Sequence, residues 1–121
     1  MSKNTIKIAN CSGFYGDRLS AAKEMVDGGP IDVLTGDYLA ELTMAILYGQ
    51  KIQRGEKAGY VGTFLKQLKQ IASSCSEKNI KVVSNAGGLN PKSMADEVKN
   101  ILDSEGLNLK VAYIDLSLIH I

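Results

Sequence analysis

Apolar and polar residues alternate in four short segments of the chain, and a period of two predicts β-strands. These segments are rich in β-branched side chains and are bounded by turn-forming residues. They span Thr5–Asn10, Ile31–Thr35, Ile80–Asn85 and Leu109–Asp115. The pattern therefore predicts a sheet of about four strands.

Between the strands, apolar residues recur every three or four positions, which predicts four helices. The first helix covers Leu19–Val26. The second, Tyr38–Gln53, is apolar over so wide an arc that we expect it to be buried against the sheet. The third covers Val61–Cys75. The fourth follows Asn90, a good N-cap, and starts at Pro91, whose missing N–H costs nothing at the first helical position.

Strands that alternate with helices are typical of βαβ crossovers and of parallel sheets. We therefore predict an α/β fold, a Rossmann-like parallel sheet of about four strands with helices on both faces. The chain has 121 residues, 45% of them apolar, and both values are normal for one globular domain. We assign residues 1–115 to this domain and expect it to be incomplete.

Charge and cysteine content narrow the classes of partner. With 14 basic and 13 acidic side chains, the net charge is +1, so no electrostatic argument favours nucleic acid or anionic lipid. No apolar run reaches the roughly 20 residues of a membrane span, and the first residues contain no signal-peptide core. Cys11 and Cys75 fit a reduced protein better than a disulfide scaffold. We expect a cytoplasmic protein without nucleic-acid or membrane partners.

In open parallel sheets, ligands bind beyond the carboxyl ends of the strands. Three predicted strands are followed by segments that combine glycine with Asn, Asp, Ser or Thr and that lead into a helix. Helix N-termini favour phosphate or carboxylate ligands. The candidate ligand-binding residues are Asn10, Ser12, Gly13, Gly16, Asp17, Arg18, Thr35, Gly36, Asn85, Gly87, Gly88 and Asn90.

Several of these residues have a structural interpretation beside the functional one. Asp37 and Glu41, four apart at the start of the second helix, could act as acid and base or bind a hard metal ion, or could simply complement the helix dipole. Arg18 could clamp an anion or be a solvated cation. Cys11 could be a nucleophile, although a buried inert thiol fits better. The third segment could be a turn and cap that binds no ligand.

Common catalytic and cofactor motifs are missing from the sequence. It contains no G-x-G-x-x-G, no P-loop and no G-x-S-x-G elbow, so the dinucleotide, P-loop and serine-hydrolase mechanisms lack their defining residues. The chain also lacks the His and Cys set of a typical zinc site. We therefore assign no metal site, and no cofactor is identified.

The segments ANCSGFYGDR, DVLTGDYLAELTMA and VSNAGGLNP, in this order and spacing, resemble the N-terminal domain of the acyclic terpene utilisation (AtuA) family. The resemblance covers nearly the whole chain up to about Asp115. It implies a bacterial protein of the catabolism of acyclic terpenes such as citronellol and geraniol. Related members occur with biotin-dependent acyl-CoA carboxylases, which implies a small acid or acyl-CoA ligand and a carboxylase-system protein as partner.

The last six residues, Leu116–Ile121, read LSLIHI and contain the single histidine, His120. They resemble the translation of a sequencing-library adapter, so we expect them to be foreign to the protein and exclude His120 from the site. The alternative is a native hydrophobic strand.

Two functions remain open at this stage. The first is an enzyme, with Asp37 and Glu41 as acid and base and Arg18 as anion clamp, in a lyase or hydratase type of step. The second is a non-catalytic binding or assembly subunit of an acyl-CoA carboxylase system. We expect the fragment alone to be inactive.

Overall fold

The computed structural model describes residues 5–115. Three strands and four helices follow one another in an order that agrees with the alternation predicted for this part of the chain. The elements are β1 (Ile8–Asn10), α1 (Ala21–Asp27), β2 (Val33–Gly36), α2 (Glu41–Arg54), α3 (Gly62–Lys78), β3 (Lys81–Ser84) and α4 (Pro91–Ser104).

The three strands form a parallel sheet in the order β1-β2-β3. Ile8 pairs with Val33 in the first ladder, and Leu34 pairs with Val82 in the second. Parallel crossovers are right-handed in nearly all proteins. Two successive crossovers in the same direction therefore bring α1 and α3 to the same face of the sheet, where they pack against each other.

The main core lies between this face of the sheet and the helices α1 and α3. The strand side chains that point into it are Ala9, Leu34 and Val82. Residues of α1 and α3 cover these strand side chains. The fully buried members include Ala22, Val26 and Ile71, each at most 1% exposed. Helix α4 continues the layer by packing on α3 through a cluster that includes Leu68, Ala72, Ile101 and Leu102.

The opposite face of the sheet is open, so the prediction of helices on both faces is wrong for the described residues. Ile8 is 65% exposed and Val83 60% exposed on this face. The physical reason is the strand order: a sheet whose strands follow in the order of the sequence keeps its crossover helices together.

The predicted fourth strand is also wrong. Residues 109–115 form no ladder with the sheet. Leu107, Leu109 and Val111 alternate with exposed residues as a strand would, but they pack against the α3–α4 cluster. The backbone N–H of Leu107 donates to the carbonyl of Leu102 at 2.9 Å, which turns the chain back over these helices.

Helix α2 begins three residues later than predicted and is not buried against the sheet. Only Thr43 and Leu47 are buried within it. Leu42 is 73% exposed and Ile52 66% exposed. The wide apolar arc therefore reaches solvent, because this helix lies beyond the carboxyl edge of the sheet, where it packs with the cluster around Tyr38.

No helix within residues 5–115 combines the length and hydropathy of a membrane span. Leu116–Ile121 lie outside the described residues, so their interpretation as an adapter translation stays a prediction.

Candidate functional site

Three loops meet at the carboxyl edge of the sheet. We call them the first loop (residues 11–20, after β1), the second loop (37–40, after β2) and the third loop (85–90, after β3). Because the strands are parallel and adjacent, their carboxyl ends lie side by side, and the loops come into contact. The edge that the sequence selected is therefore a real meeting point of polar side chains.

Asp37 lies where the three loops meet. Its backbone N–H donates to the carbonyl of Ser12 at 3.0 Å, and its carboxylate Oδ1 accepts a hydrogen bond from Asn85 Nδ2 at 2.7 Å. The side-chain Oδ1 of Asn85 in turn accepts from the backbone N–H of Tyr38 at 2.8 Å. We call this set of bonds the three-loop junction. It holds one oxygen of an exposed carboxylate in a fixed position.

Two further predicted residues, Asn10 and Thr35, stabilise the junction through hydrogen bonds at the ends of β1 and β2. Asn10 Nδ2 donates to the carbonyl of Ser12 at 3.0 Å, and Thr35 Oγ1 donates to Asn10 Oδ1 at 3.3 Å. Ser12 is 2% exposed, and its hydroxyl donates to the carbonyl of Phe14 at 3.0 Å. These side chains shape the loops, and the Ser12 hydroxyl is already engaged within the first loop.

Asp17 and Arg18 organise the first loop. The carboxylate of Asp17 accepts from the backbone N–H of Gly13 at 2.9 Å and from that of Arg18 at 2.8 Å. These bonds hold the pKa of Asp17 below its ordinary value, with the charge of Arg18 as a smaller cause. Arg18 Nε lies 3.1 Å from Glu24 Oε2. Its guanidinium is therefore paired through Nε with an exposed carboxylate, and its role as an anion clamp stays a prediction. Gly16, at φ +105°, lies in the turn in which the backbone N–H of Asp17 donates to the carbonyl of Phe14 at 3.3 Å.

The third loop fastens the α2–α3 connection, residues 55–61. Leu89 N–H donates to the carbonyl of Gly59 at 2.9 Å, and Asn90 Nδ2 donates to the carbonyls of Glu56 and Ala58. Asn90 also caps α4, because its Oδ1 accepts from the backbone N–H of Ser93 at 3.3 Å. The predicted cap is present, and all these polar groups have protein partners.

The glycines of the third loop are explained by close packing. A Cβ at Gly87 would lie 2.8 Å from the Pro91 ring, and one at Gly88 would lie 2.5 Å from Leu47 Cδ1 and 2.9 Å from the carbonyl of Gly59. Gly88 also has a φ of +55°. These glycines bring the loop against α2 and its connection, rather than leaving an open backbone for a ligand.

Asp37 and Glu41 do not share a helical face. The helix begins at Glu41, and its N-cap, Ala40, is extended with φ −154° and ψ 173°. Asp37 therefore lies in the loop, because its backbone and side chain bond to Ser12 and Asn85 instead of starting a helical turn. Both carboxylates are exposed, and their catalytic roles stay predictions.

Beneath the junction lies a buried polar group of three side chains. The Tyr38 hydroxyl donates to Gln67 Oε1, and Cys11 Sγ lies 3.8 Å from that hydroxyl. Burial raises the pKa of both Cys11 and Tyr38, so thiol and phenol stay protonated near neutral pH. Cys11 thus fits the inert interpretation. Gly36 makes room for the Tyr38 ring, which a Cβ would approach to 2.6 Å.

Sequence reasoning missed a cavity of about 350 Å³ between the first loop and the α2–α3 connection. Tyr15, Arg54, Lys57 and Tyr60 line it together with Gln50, whose Nε2 donates to the Tyr15 hydroxyl at 3.4 Å. We call it the cationic cavity, since both charged lining residues are basic. Neither forms an ion pair among the described residues. Both are basic side chains at or just after the end of α2, but nothing in the sequence places them beside the first loop.

The tyrosines of the cationic cavity can act as hydrogen-bond donors. Burial raises the pKa of Tyr60, and the nearby Glu97 carboxylate of α4 adds a smaller effect in the same direction. The phenol therefore keeps its proton at neutral pH. A second cavity, of about 520 Å³, lies at the opposite edge of the sheet, around Pro30 and Lys78. We give it no functional role, because Lys78 Nζ is bonded there to the carbonyl of Val26 at 2.9 Å.

A model of the acyclic terpene utilisation family protein AtuA matches residues 6–117. The chain belongs to this family. Neither the curated proteins nor the solved structures with which it was compared gave a match. The three-loop junction and the cationic cavity both lie within the part of the chain that the AtuA model covers.

Proposed function

We propose that the protein binds a carboxylic acid, or its acyl-CoA thioester, from the catabolism of acyclic terpenes, and acts on it at the carboxyl edge of the sheet. The observation that carries this proposal is the pairing of two features at one edge. Asp37 is held exposed at the three-loop junction, and the cationic cavity adjoins the same first loop through Tyr15. Membership of the acyclic terpene utilisation family supports this choice of substrate class.

The charges of the residues at this edge suggest a separate role for each group. Arg54 and Lys57 would bind the anionic part of the ligand, and the hydroxyls of Tyr15 and Tyr60 would donate hydrogen bonds to it. Asp37 would accept or return a proton, since Asn85 engages only one of its carboxylate oxygens. Proton transfer of this kind suits a lyase or hydratase step.

The competing function is a non-catalytic binding or assembly subunit of an acyl-CoA carboxylase system. One observation favours it: the Asn85 amide is the only side chain that contacts the Asp37 carboxylate in the described hydrogen bonds. Within residues 5–115, no second acid or base is hydrogen-bonded to it. A protein that only docks would need no such group.

Calorimetric titration with citronellyl-CoA, with free CoA and acetyl-CoA as comparisons, tests the binding step. Replacing both Arg54 and Lys57 by Ala is expected to weaken binding at least about tenfold, because two charge-assisted contacts are lost. Lys23→Ala, which removes a cation already paired with Asp27, is the matched control. Equal binding by the double variant would contradict the cavity assignment.

The catalytic step is tested separately in the full-length protein. Asp37→Asn preserves the size of the side chain and is expected to abolish turnover while binding remains. If no form turns over an acyl-CoA and Asp37→Asn still assembles with a carboxylase partner, the assembly function replaces the enzymatic one.

A further inference from the structure

The walls of the cationic cavity carry no aliphatic side chain larger than that of Ala58. Among residues 5–115, the lining consists of two tyrosines, a glutamine, an arginine, a lysine, this alanine and two glycines. Pockets that hold hydrocarbon groups are lined mainly by aliphatic and aromatic side chains, and here the tyrosine rings are the only large apolar surfaces. The cavity therefore suits the polar head of a ligand better than its branched hydrocarbon chain.

The charge of the lining favours a ligand group with more than one negative charge. Arg54 and Lys57 are exposed, and no Asp or Glu of residues 5–115 lines the cavity beside them. Glu97, whose carboxylate contributes to the raised pKa of Tyr60, belongs to α4 and lies outside the lining. A carboxylate carries a single charge, whereas a phosphate ester carries between about 1.5 and 2 negative charges at pH 7. A phosphate group therefore neutralises both cations, and a carboxylate only one.

The hydrogen-bond donors around the cavity come from three parts of the chain. Tyr15 belongs to the first loop, Arg54 ends α2, and Tyr60 precedes the start of α3. A carboxylate offers two oxygens in one plane, whereas a phosphate group offers three acceptor oxygens around a tetrahedral centre. Donors that approach from several directions therefore match a phosphate group better.

Gly62 adds the backbone of α3 to the same wall of the cavity. It is the first residue of this 17-residue helix, whose N-cap, Val61, provides no side-chain cap and whose first turn contains no acidic residue. The N–H groups at such a helix start favour anions. They supplement the attraction of Arg54 and Lys57, which carry the full charges.

We propose that the cationic cavity binds a phosphate group, so that the ligand of the proposed function is the CoA thioester and not the free acid. This inference rests on the proposed function in placing the anionic part of the ligand here. A volume of about 350 Å³ lies at the lower end of the range for small-molecule sites. A phosphate ester group fits in it, and the acyl chain lies outside. CoA offers two sources of this group, its diphosphate bridge and the phosphate on its ribose.

Calorimetric titration with phosphate compounds that carry no acyl group tests the inference on the 121-residue chain. Inorganic pyrophosphate and CoA are expected to bind, and pantetheine, which lacks phosphate, is expected to bind at least about a hundredfold more weakly than CoA. Dephospho-CoA, which lacks only the ribose phosphate, distinguishes the sources. Affinity equal to that of CoA assigns the diphosphate bridge to the cavity, and an affinity at least about tenfold lower assigns the ribose phosphate.

Gly62→Asp places a carboxylate at the cavity without a steric conflict. A Cβ at Gly62 would meet nothing within 4 Å, and an acidic residue stabilises the first turn of a helix. The variant is expected to weaken the binding of pyrophosphate and CoA at least about tenfold. Gly29→Asp is the matched control, because it adds the same charge at an equally open glycine at the opposite edge of the sheet. It is expected to leave both affinities within about twofold, and circular dichroism verifies that both variants are folded.

Three results would overturn the inference: no binding of any phosphate compound, equal binding of pantetheine and CoA, or a Gly62→Asp variant that binds pyrophosphate as wild type does. Citronellate that binds as tightly as citronellyl-CoA would also overturn it, while the proposed function would survive, since a terpenoid acid is still bound. If pyrophosphate binding is lost in Gly62→Asp but neither citronellyl-CoA nor citronellate binds the wild type, the phosphate site stands and the proposed function fails.

Discussion

Gly88→Ala gives the most direct test of how the third loop is built. Gly88 has a φ of +55°, and a Cβ at this position would lie 2.5 Å from Leu47 Cδ1 and 2.9 Å from the carbonyl of Gly59. Leu47 is completely buried, and the Gly59 carbonyl accepts the Leu89 N–H bond. Neither neighbour can move without disturbing the attachment of the α2–α3 connection.

Three contributions set the size of the effect. The left-handed backbone costs a residue with a Cβ about 1–2 kcal/mol. Crowding in a packed site costs about 1–3 kcal/mol. The lower entropy of the unfolded chain returns about 0.4–1 kcal/mol. The free energy of unfolding is therefore expected to fall by about 1–4.5 kcal/mol, with a central value of about 2–3 kcal/mol.

Urea unfolding followed by circular dichroism measures this loss, and the midpoint is expected to fall by about 1–2 M. Gly29→Ala is the matched control, because a Cβ there meets nothing within 4 Å and the φ of Gly29 is not in the left-handed region. It is expected to be neutral or slightly stabilising. A Gly88→Ala variant within about 0.5 kcal/mol of wild type, or an equal loss in Gly29→Ala, would refute the packing argument.

Three further predictions concern buried and charged groups. Tyr38→Phe leaves Gln67 Oε1 without its donor and is expected to cost about 1–3 kcal/mol in urea unfolding, most of which Gln67→Leu in the same chain should recover. Cys11 and Cys75 are buried with raised pKa values, so a thiol reagent at pH 7.5 should react with them only after denaturation. The lowered pKa of Asp17 stabilises the folded state above about pH 4, and this stabilisation is lost as the pH falls through the folded value. The stability difference between wild type and Asp17→Asn should therefore shrink below about pH 4.

The sequence predicted the individual helices and strands better than the way in which they pack together. The period of two located β1, β2 and β3, and the cap at Asn90 located the start of α4. The segment Leu109–Asp115 has the same period but no ladder, because strand pairing depends on distant residues that alternation does not specify. The apolar arc of α2 likewise predicted a helix without indicating which side of it faces the protein.

The candidate site divides in the same way. The residues after each strand were placed correctly at one edge, since parallel strands end together. Their contacts could not be predicted, because they join positions far apart in the sequence: Asp37 meets Asn85 across 48 residues. Lys57 escaped notice because its position depends on the third loop, which fastens the connection that carries it, and Arg54 because it ends α2 directly before that connection.

The third loop holds two separate parts of the candidate site in place. Asn90 bonds to the carbonyls of Glu56 and Ala58, on either side of Lys57, and Asn85 at the other end of the same loop bonds to Asp37. One six-residue loop therefore fixes both the carboxylate of the three-loop junction and a wall of the cationic cavity. In the proposed function, its glycines would act indirectly, by setting the distance between the Asp37 carboxylate and the Lys57 cation. A change in this loop should thus alter both features together, even where it touches no ligand.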